Sequence, residues 1–302
     1  MYQMASADLA LAQRDFPDEE VTLYLNRLVG QAHAAIYQVD SFTWRSLLRF
    51  YRETFPHLYR RLLPYTGVAA LLFVLPALAV FLAVWQDPER IYGIMGQGIR
   101  PLVEQVEGGR MWTDIPLTLR STASVGIFTN NIRVMVFTFA GGATGGLLTV
   151  YVMALNGVNL GALFGLLQAH AMSGRLAEFV VAHGVIELSV IFLVGGCGLY
   201  MGDALWRPGL QSRRVALVQR ARTAAQVVLG CIPLLVVAGL VEGFVSPSDL
   251  PGPLKAGVGA VSGLVLYRYW LGRWVLWGSL SALLRRLLPP PVGPGLGSRL
   301  GG

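Results

Sequence analysis

The stretch VMVFTFAGGATGGLLTVYVMALNGVNLGALFGLLQAHAMSG, residues 134–174, contains no Asp, Glu, Lys or Arg. A helix that crosses a bilayer needs about 20 apolar residues, so this uncharged run is long enough for two. A water-soluble domain has no use for such a run, because its surface must be solvated. Asn156-Gly157 lies near the middle and predicts a tight turn. The stretch therefore predicts two membrane-spanning helices joined by a turn, in a polytopic membrane protein.

The composition of the whole chain agrees with this class. Apolar residues make up 54% of the sequence and charged residues only 14%, whereas soluble domains are about 25% charged. Cys197 and Cys231 both lie in apolar runs, which favours buried thiols over a disulfide. The first 40 residues contain no apolar run typical of a signal peptide.

The pattern of apolar runs predicts an all-α membrane bundle of about six transmembrane helices, which occupies residues 62–284. The predicted spans are 62–85, 134–155, 157–172, 179–202, 223–245 and a sixth that begins near residue 254 and carries Arg268. Glycines at a spacing of four in the second and third spans, with Gly195, Gly196 and Gly198 in the fourth, predict close packing among those three helices. An extracytoplasmic loop is expected at about 86–128, and a disordered tail at 285–302.

Arginines indicate the orientation of the bundle. They are concentrated before the first span, between the fourth and fifth spans, and after the sixth, whereas the 86–128 loop carries mixed charge. Six spans with both termini in the cytoplasm place all three basic segments inside, as the positive-inside rule requires. We therefore expect a multi-pass protein of the cytoplasmic (inner) membrane. The net charge of +7 is then a signal of topology, and nucleic acid is not an expected partner.

The N-terminal segment, residues 1–61, has the pattern of amphipathic helices. Around residues 42–62, aromatic and aliphatic residues alternate with Arg45, Arg49, Arg52 and Arg60. Such a segment is suited to the interface beside anionic headgroups, and a small cytoplasmic helical cap on the bundle is the alternative. The bilayer is thus one expected partner.

Five ionisable residues fall at similar depth in the outer half of the predicted membrane: Arg133, His170, His183, Glu187 and Glu242. Charges in lipid are costly, so each should face the bundle interior and find a partner. His183 and Glu187 are four residues apart and share a helix face. One reading is an ion-pair cluster of Arg133 with Glu187 or Glu242. A second is a transport or partner-coupling site. A third is a metal site of His170, His183, Glu187 and Glu242, with zinc or another divalent ion as its only expected cofactor.

Three segments resemble the stage II sporulation protein M family: FTNNIRVMVFTFAGGATGGLLTVYVMALNG (128–157), AHGVIELSVIFLVGGCGLYMG (182–202) and GLVEGFVSPS (239–248). ASADLALA (5–12) and RETFP (52–56) look like its upstream motifs. The resemblance implies a multi-spanning membrane protein. It also places Asn130, Asn131 and Asn156 at motif positions, so the candidate binding or coupling cluster comprises Asn130, Asn131, Arg133, Asn156, His170, His183, Glu187 and Glu242.

The founding member of that family belongs to an engulfment complex with two peptidoglycan-degrading partners, and homologues also occur in organisms that make no spores. The resemblance therefore implies a non-enzymatic membrane component that recruits or couples partner proteins of the cell envelope, and that could also form homo-oligomers. A transporter or channel that uses the polar cluster is the alternative. A further alternative is an intramembrane metal-dependent hydrolase, although no Gly-x-Ser-x-Gly, phosphate-loop or His-Glu-x-x-His motif occurs.

Overall fold

A computed structural model describes residues 2–17, 19–37, 43–111 and 120–287, and within these residues the chain is helical and contains no strand. The α-helices are α1 (Tyr2–Asp15), α2 (Glu20–Tyr37), α3 (Trp44–Arg49), α4 (Phe55–Gln86), α5 (Arg90–Met95), α6 (Arg100–Glu107), α7 (Arg120–Ala140), α8 (Leu147–Ala169), α9 (Ser173–Trp206), α10 (Arg213–Phe244) and α11 (Gly252–Leu287). A π-helical turn, Phe50–Thr54, precedes α4. Most of the predicted disordered tail, residues 288–302, lies outside the described residues.

Two compact units divide the chain, Met1–Arg49 and Phe50–Gly302. In the first unit α1 packs against α2, and Leu9 and Val29 are buried. The Thr22 hydroxyl donates a hydrogen bond to the Phe16 carbonyl at 2.7 Å, which ties the connection to α2. The interfacial role of this unit stays a prediction.

Four helical runs of the described chain are long and apolar enough to cross a membrane: Trp44–Gln86, Leu147–Ala169, Ser173–Trp206 and Arg213–Phe244. The prediction of an all-helical membrane bundle is therefore confirmed. Helices α7 and α11 are not among these four, so the count of six spans stays a prediction.

The turn inside the uncharged run lies ten residues before the predicted one. Helix α8 continues through Asn156-Gly157 without a break, and the prediction of a turn there is wrong. The chain reverses instead at residues 141–146, where a 3₁₀ turn (Gly141–Thr144) leads into Gly145 and Gly146 at φ angles of 72° and 89°. Only glycine adopts such angles readily, so this pair makes the tight connection. Within the helix the amide of Asn156 donates a hydrogen bond back to the Val152 carbonyl at 2.8 Å, one way in which a polar side chain is satisfied inside a helix.

Gly157 allows close packing between helices and does not form a turn. A Cβ atom at Gly157 or Gly161 would collide with the backbone carbonyl of Phe73 or Ala77 on α4. Because these glycines have no side chain, α8 can approach the backbone of α4 closely. Small residues permit this kind of helix contact in membranes. Close packing was predicted among the second, third and fourth spans; Gly142 and Gly198 do lie at such a contact, whereas the Gly157 face packs on the first span.

The central core lies between α4, α9, α10 and α11. Phe55, Leu62 and Trp270 are fully buried there, and the rings of Tyr59 and Trp270 stack with centroids 4.2 Å apart. Cys197 and Cys231 lie in the same core as buried thiols, as predicted.

Two ends of the bundle carry its polar groups. At the turn end, which holds the 141–146 turn and the 207–212 loop, the Trp206 indole donates a hydrogen bond to the Gly145 carbonyl at 3.0 Å. At the opposite end, the cluster end, the connection from α10 to α11 (245–251) packs against the first half of α9.

Candidate functional site

A buried cluster of ionisable side chains forms at the cluster end, where α9, α10 and α11 meet. His183 and Glu187 come from successive turns of α9, Glu242 from the last turn of α10, Ser246 from the connection that follows, and Lys255 from the first turn of α11. We call these five residues the His183 cluster. The side chains of His183, Glu187 and Glu242 are only 4%, 13% and 5% exposed, and Lys255 is also buried.

The imidazole of His183 is at the centre of the cluster. Its Nε2 atom lies 3.6 Å from Glu187 Oε2 and 3.8 Å from Glu242 Oε1, and its Nδ1 atom shares a hydrogen bond with the Ser246 hydroxyl at 2.8 Å. Phe179 packs edge-on against the ring, with centroids 5.8 Å apart. One nitrogen of the imidazole is thus held in place, while the other faces two carboxylates at distances beyond a direct hydrogen bond.

Lys255 is held by the connection between α10 and α11, which also contains Ser246. Its ammonium group donates a hydrogen bond to the Ser246 carbonyl at 2.9 Å. Ser246 therefore contacts His183 through its hydroxyl and Lys255 through its backbone. The chain contains 24 basic residues, of which Lys255 is the only lysine, and this lysine is buried.

Helix dipoles make the placement of these charges unfavourable in isolation. Glu242 lies at the C-terminal end of α10, where the helix dipole is negative, and Lys255 at the N-terminal end of α11, where it is positive. Neither glutamate side chain accepts a hydrogen bond from another part of the described chain. Burial of a carboxylate costs free energy unless its charge is compensated. The cluster therefore contains two buried carboxylates that face the same imidazole nitrogen and that no direct hydrogen bond compensates.

The structure brings together three of the eight residues proposed from the sequence: His183, Glu187 and Glu242. His170 contacts the Leu166 carbonyl of its own helix at 2.9 Å, and Asn156 bonds to Val152. Asn130 and Arg133 are exposed on α7, and Asn131 is half-buried. Among the described residues, Arg133 forms no ion pair with Glu187 or Glu242, and the basic side chain that lies beside both glutamates is His183. The predicted ion pair of Arg133 with a glutamate is therefore wrong.

Ser246 and Lys255 were missed by the sequence reasoning. Ser246 lies in the motif segment 239–248, and Lys255 could have been recognised as the one lysine of an arginine-rich chain. In the part of the chain that the structure describes, no three or more His, Cys, Asp or Glu side chains are grouped so that they could hold a metal ion.

Apolar helices long enough to cross a bilayer, with a buried ionisable cluster between them, define an integral membrane protein of the helical-bundle class. The family model for Stage II sporulation protein M matches residues 69–247. That stretch is more than half of the chain, and the chain belongs to this family. It includes His183, Glu187, Glu242 and Ser246, whereas Lys255 lies beyond it.

A second family model, described only as a domain of unknown function (DUF8413), matches residues 1–38. No curated protein and no solved structure matches the chain.

Proposed function

We propose that this protein is a non-enzymatic component of an envelope-remodelling complex in the cytoplasmic membrane, where it recruits or couples partner proteins. Membership of the Stage II sporulation protein M family is the observation that carries the proposal. The helices α5 and α6 bury Ile91, Val103 and Val106 against the bundle, and their opposite, polar side offers a surface for a partner.

The proposed topology has six spans, α4 and α7 to α11, with both termini in the cytoplasm. Helix α11 packs along α9 and α4, and α7 packs against α8, α9 and α10, so both belong to the same bundle as the four apolar spans. The arginines of the 207–212 loop and of the start of α10 then lie inside.

Single added cysteines test this topology, because Cys197 and Cys231 are buried and should not react. A membrane-impermeant maleimide applied to intact cells should label a cysteine at Gln105 and spare cysteines at Arg45 and Ser212. The latter two should react only after the membrane is opened. Outside labelling of position 212 would refute the orientation.

The envelope role is tested in a deletion strain. We expect loss of the chain to change the release of pre-incorporated, labelled peptidoglycan fragments, and the wild-type chain to restore it. A photo-crosslinker at Gln105 should capture a peptidoglycan-degrading enzyme, and a crosslinker at the lipid-facing, exposed Leu264 provides the matched control. Unchanged peptidoglycan turnover in the deletion strain would reject the proposal.

Transport of a proton or small cation is the second candidate, and the His183 cluster is the observation that favours it. A charge at the centre of a bilayer costs about 2.5–3.5 kcal/mol on insertion scales, so ionisable side chains between spans mark functional sites by default. Purified protein in liposomes that contain a pH-sensitive dye should then dissipate a proton gradient. Glu242→Gln should abolish this flux and Glu104→Gln, an exposed carboxylate of α6, should not. Equal flux through both variants would exclude the cluster as the path.

A further inference from the structure

A cavity of about 300 Å³ opens at the turn end, between α4, the end of α9 and the start of α10. Polar and charged side chains form most of its lining: Arg61, Tyr200, Gln211, Gln219, Arg220 and Thr223. Ligand pockets range from about 300 to 1,000 Å³, so this cavity has room for a small polar group.

One carboxylate, Asp203, contacts the arginines around this cavity. Its Oδ2 atom accepts hydrogen bonds from Arg220 at 2.6 Å and from the Tyr65 hydroxyl at 2.9 Å, and its Oδ1 atom pairs with Arg207 at 2.8 Å. Both oxygens of Asp203 are therefore occupied. We call Tyr65, Asp203, Arg207 and Arg220 the Asp203 network.

Arg61 is the unbalanced charge at this cavity. Its guanidinium donates a hydrogen bond to the Tyr200 hydroxyl at 2.9 Å and lies 5.6 Å from the centre of that ring. In the described part of the chain it forms no ion pair with a carboxylate. Of the two arginines that line the cavity, Arg220 is paired with Asp203 and Arg61 is not, which leaves an excess of one positive charge.

The remaining donors suit a tetrahedral anion. A guanidinium has five N–H donors, and Arg61 uses one of them on Tyr200. The side-chain amides of Gln211 and Gln219 and the hydroxyl of Thr223 line the same space. The planar fork of arginine matches phosphate oxygens in pairs, and such charge-assisted hydrogen bonds are stronger than neutral ones.

The depth of the cavity indicates where the anion comes from. Trp206, an exposed residue at the end of α9, lies at the same end, and tryptophans concentrate at the headgroup level of membranes. Exposed aliphatic side chains of α4, such as Leu63 and Val68, begin beside Arg61 and continue towards the bundle centre. The cavity thus lies at the boundary between the apolar belt and the basic loop.

We propose that this cavity binds a phosphate group, with Arg61 as its principal ligand, supplied by an anionic phospholipid headgroup or by a soluble phosphate. This inference is independent of the proposed role in envelope remodelling. With the orientation proposed above, the cavity lies at the cytoplasmic leaflet of the membrane.

The test uses the full-length protein in detergent and compares three additions: phosphatidylglycerol, zwitterionic phosphatidylcholine and inorganic phosphate. Thermal unfolding of the wild-type chain is followed at increasing concentrations of each. We expect phosphatidylglycerol to raise the melting temperature and Arg61→Gln to weaken its apparent affinity about tenfold, the loss expected for one charge-assisted contact. Stabilisation by inorganic phosphate alone, also lost in Arg61→Gln, would assign the site to a soluble anion.

Arg222→Gln is the matched control, since it removes an exposed arginine of α10 that does not line the cavity. Gln219→Glu is the second variant; it keeps Arg61 but places a negative charge on the lining, and it should also weaken binding. Equal weakening in Arg61→Gln and Arg222→Gln would show attraction to general surface charge and overturn the proposal. So would full wild-type affinity in Gln219→Glu, or no stabilisation by either phosphatidylglycerol or phosphate.

Discussion

The His183 cluster and the Asp203 network occupy opposite ends of α9 and satisfy their charges in opposite ways. Asp203 accepts hydrogen bonds from Arg220 and Tyr65 and pairs with Arg207, all between 2.6 and 2.9 Å. In the cluster, His183 lies 3.6 and 3.8 Å from its two glutamates. The Arg207 side chain is 83% exposed, whereas His183 is 4% exposed. The network is tightly paired and reaches solvent through Arg207, although Asp203 itself is only 13% exposed, and the cluster is loosely paired in the interior.

This difference separates two ways of placing charge. Exposed ion pairs cost little to form and contribute little, because solvent screens them. Buried charges are expensive unless their pairing is excellent. Single substitutions should therefore change stability most in the His183 cluster, where the pairing is loose and the side chains are buried.

Lys255→Met should have the largest effect on stability. It removes the lysine charge of the cluster and its hydrogen bond to the Ser246 carbonyl, so we expect a loss of roughly 2–3 kcal/mol. Thermal unfolding of the full-length protein in lipid nanodiscs measures it. Glu242→Gln in the same chain should restore part of the loss by removing one of the uncompensated charges. Arg268→Met, an exposed position on α11, provides the control. Wild-type stability of Lys255→Met would show that the cluster does not need its cation.

Ser246→Ala should have the next largest effect. The variant leaves His183 Nδ1 buried and without its partner at 2.8 Å, a cost of about 1–3 kcal/mol. Ser248→Ala removes a hydroxyl from the same connection without contact to His183 and should be close to neutral. The two variants are compared by thermal unfolding, and equal stability would mean that the Ser246 hydroxyl does not hold the imidazole.

Asp203→Asn should be milder, although the Asp203 carboxylate is paired at shorter distances than the glutamates of the cluster. An asparagine keeps one acceptor for Arg220, and the released Arg207 is already solvated, so we expect a loss of about 1–2 kcal/mol. Chemical denaturation in detergent is a suitable measurement. A loss as large as that of Lys255→Met would abolish the distinction between the two regions.

Arg207→Gln should have the smallest effect, a few tenths of a kcal/mol, because the pair with Asp203 is exposed on the arginine side. The effect should disappear in about 1 M salt, where the screening length is near 3 Å. Unfolding measured at low and high salt checks this. An effect that persists at high salt would indicate that Arg207 acts through packing.

Most of the helices and about half of the cluster could be predicted from the sequence. The 3.6-residue helix period placed His183 and Glu187 on one face, and the predicted spans 62–85, 179–202 and 223–245 agree with helices long and apolar enough to cross a membrane, whereas 134–155 is interrupted by the turn. Arg133 was given the wrong partner because similar depth in the membrane does not specify which helix faces which. Lys255 was missed because a lysine near a helix end is usually solvated, and only the packing of α11 against α9 buries it.

The sequence by itself determined both the class and the family of this protein. The class follows because a long apolar run in a bilayer must be long enough to cross it and must satisfy its backbone hydrogen bonds as a helix. Only the tertiary structure decided what each glycine and each charge does. Gly157 packs against the backbone of α4 because α4 lies against α8. The turn forms at Gly145-Gly146, where the backbone needs positive φ angles. His183, Glu242 and Lys255 became one cluster because three helices converge on Ser246, and such convergence depends on contacts between residues far apart in the chain.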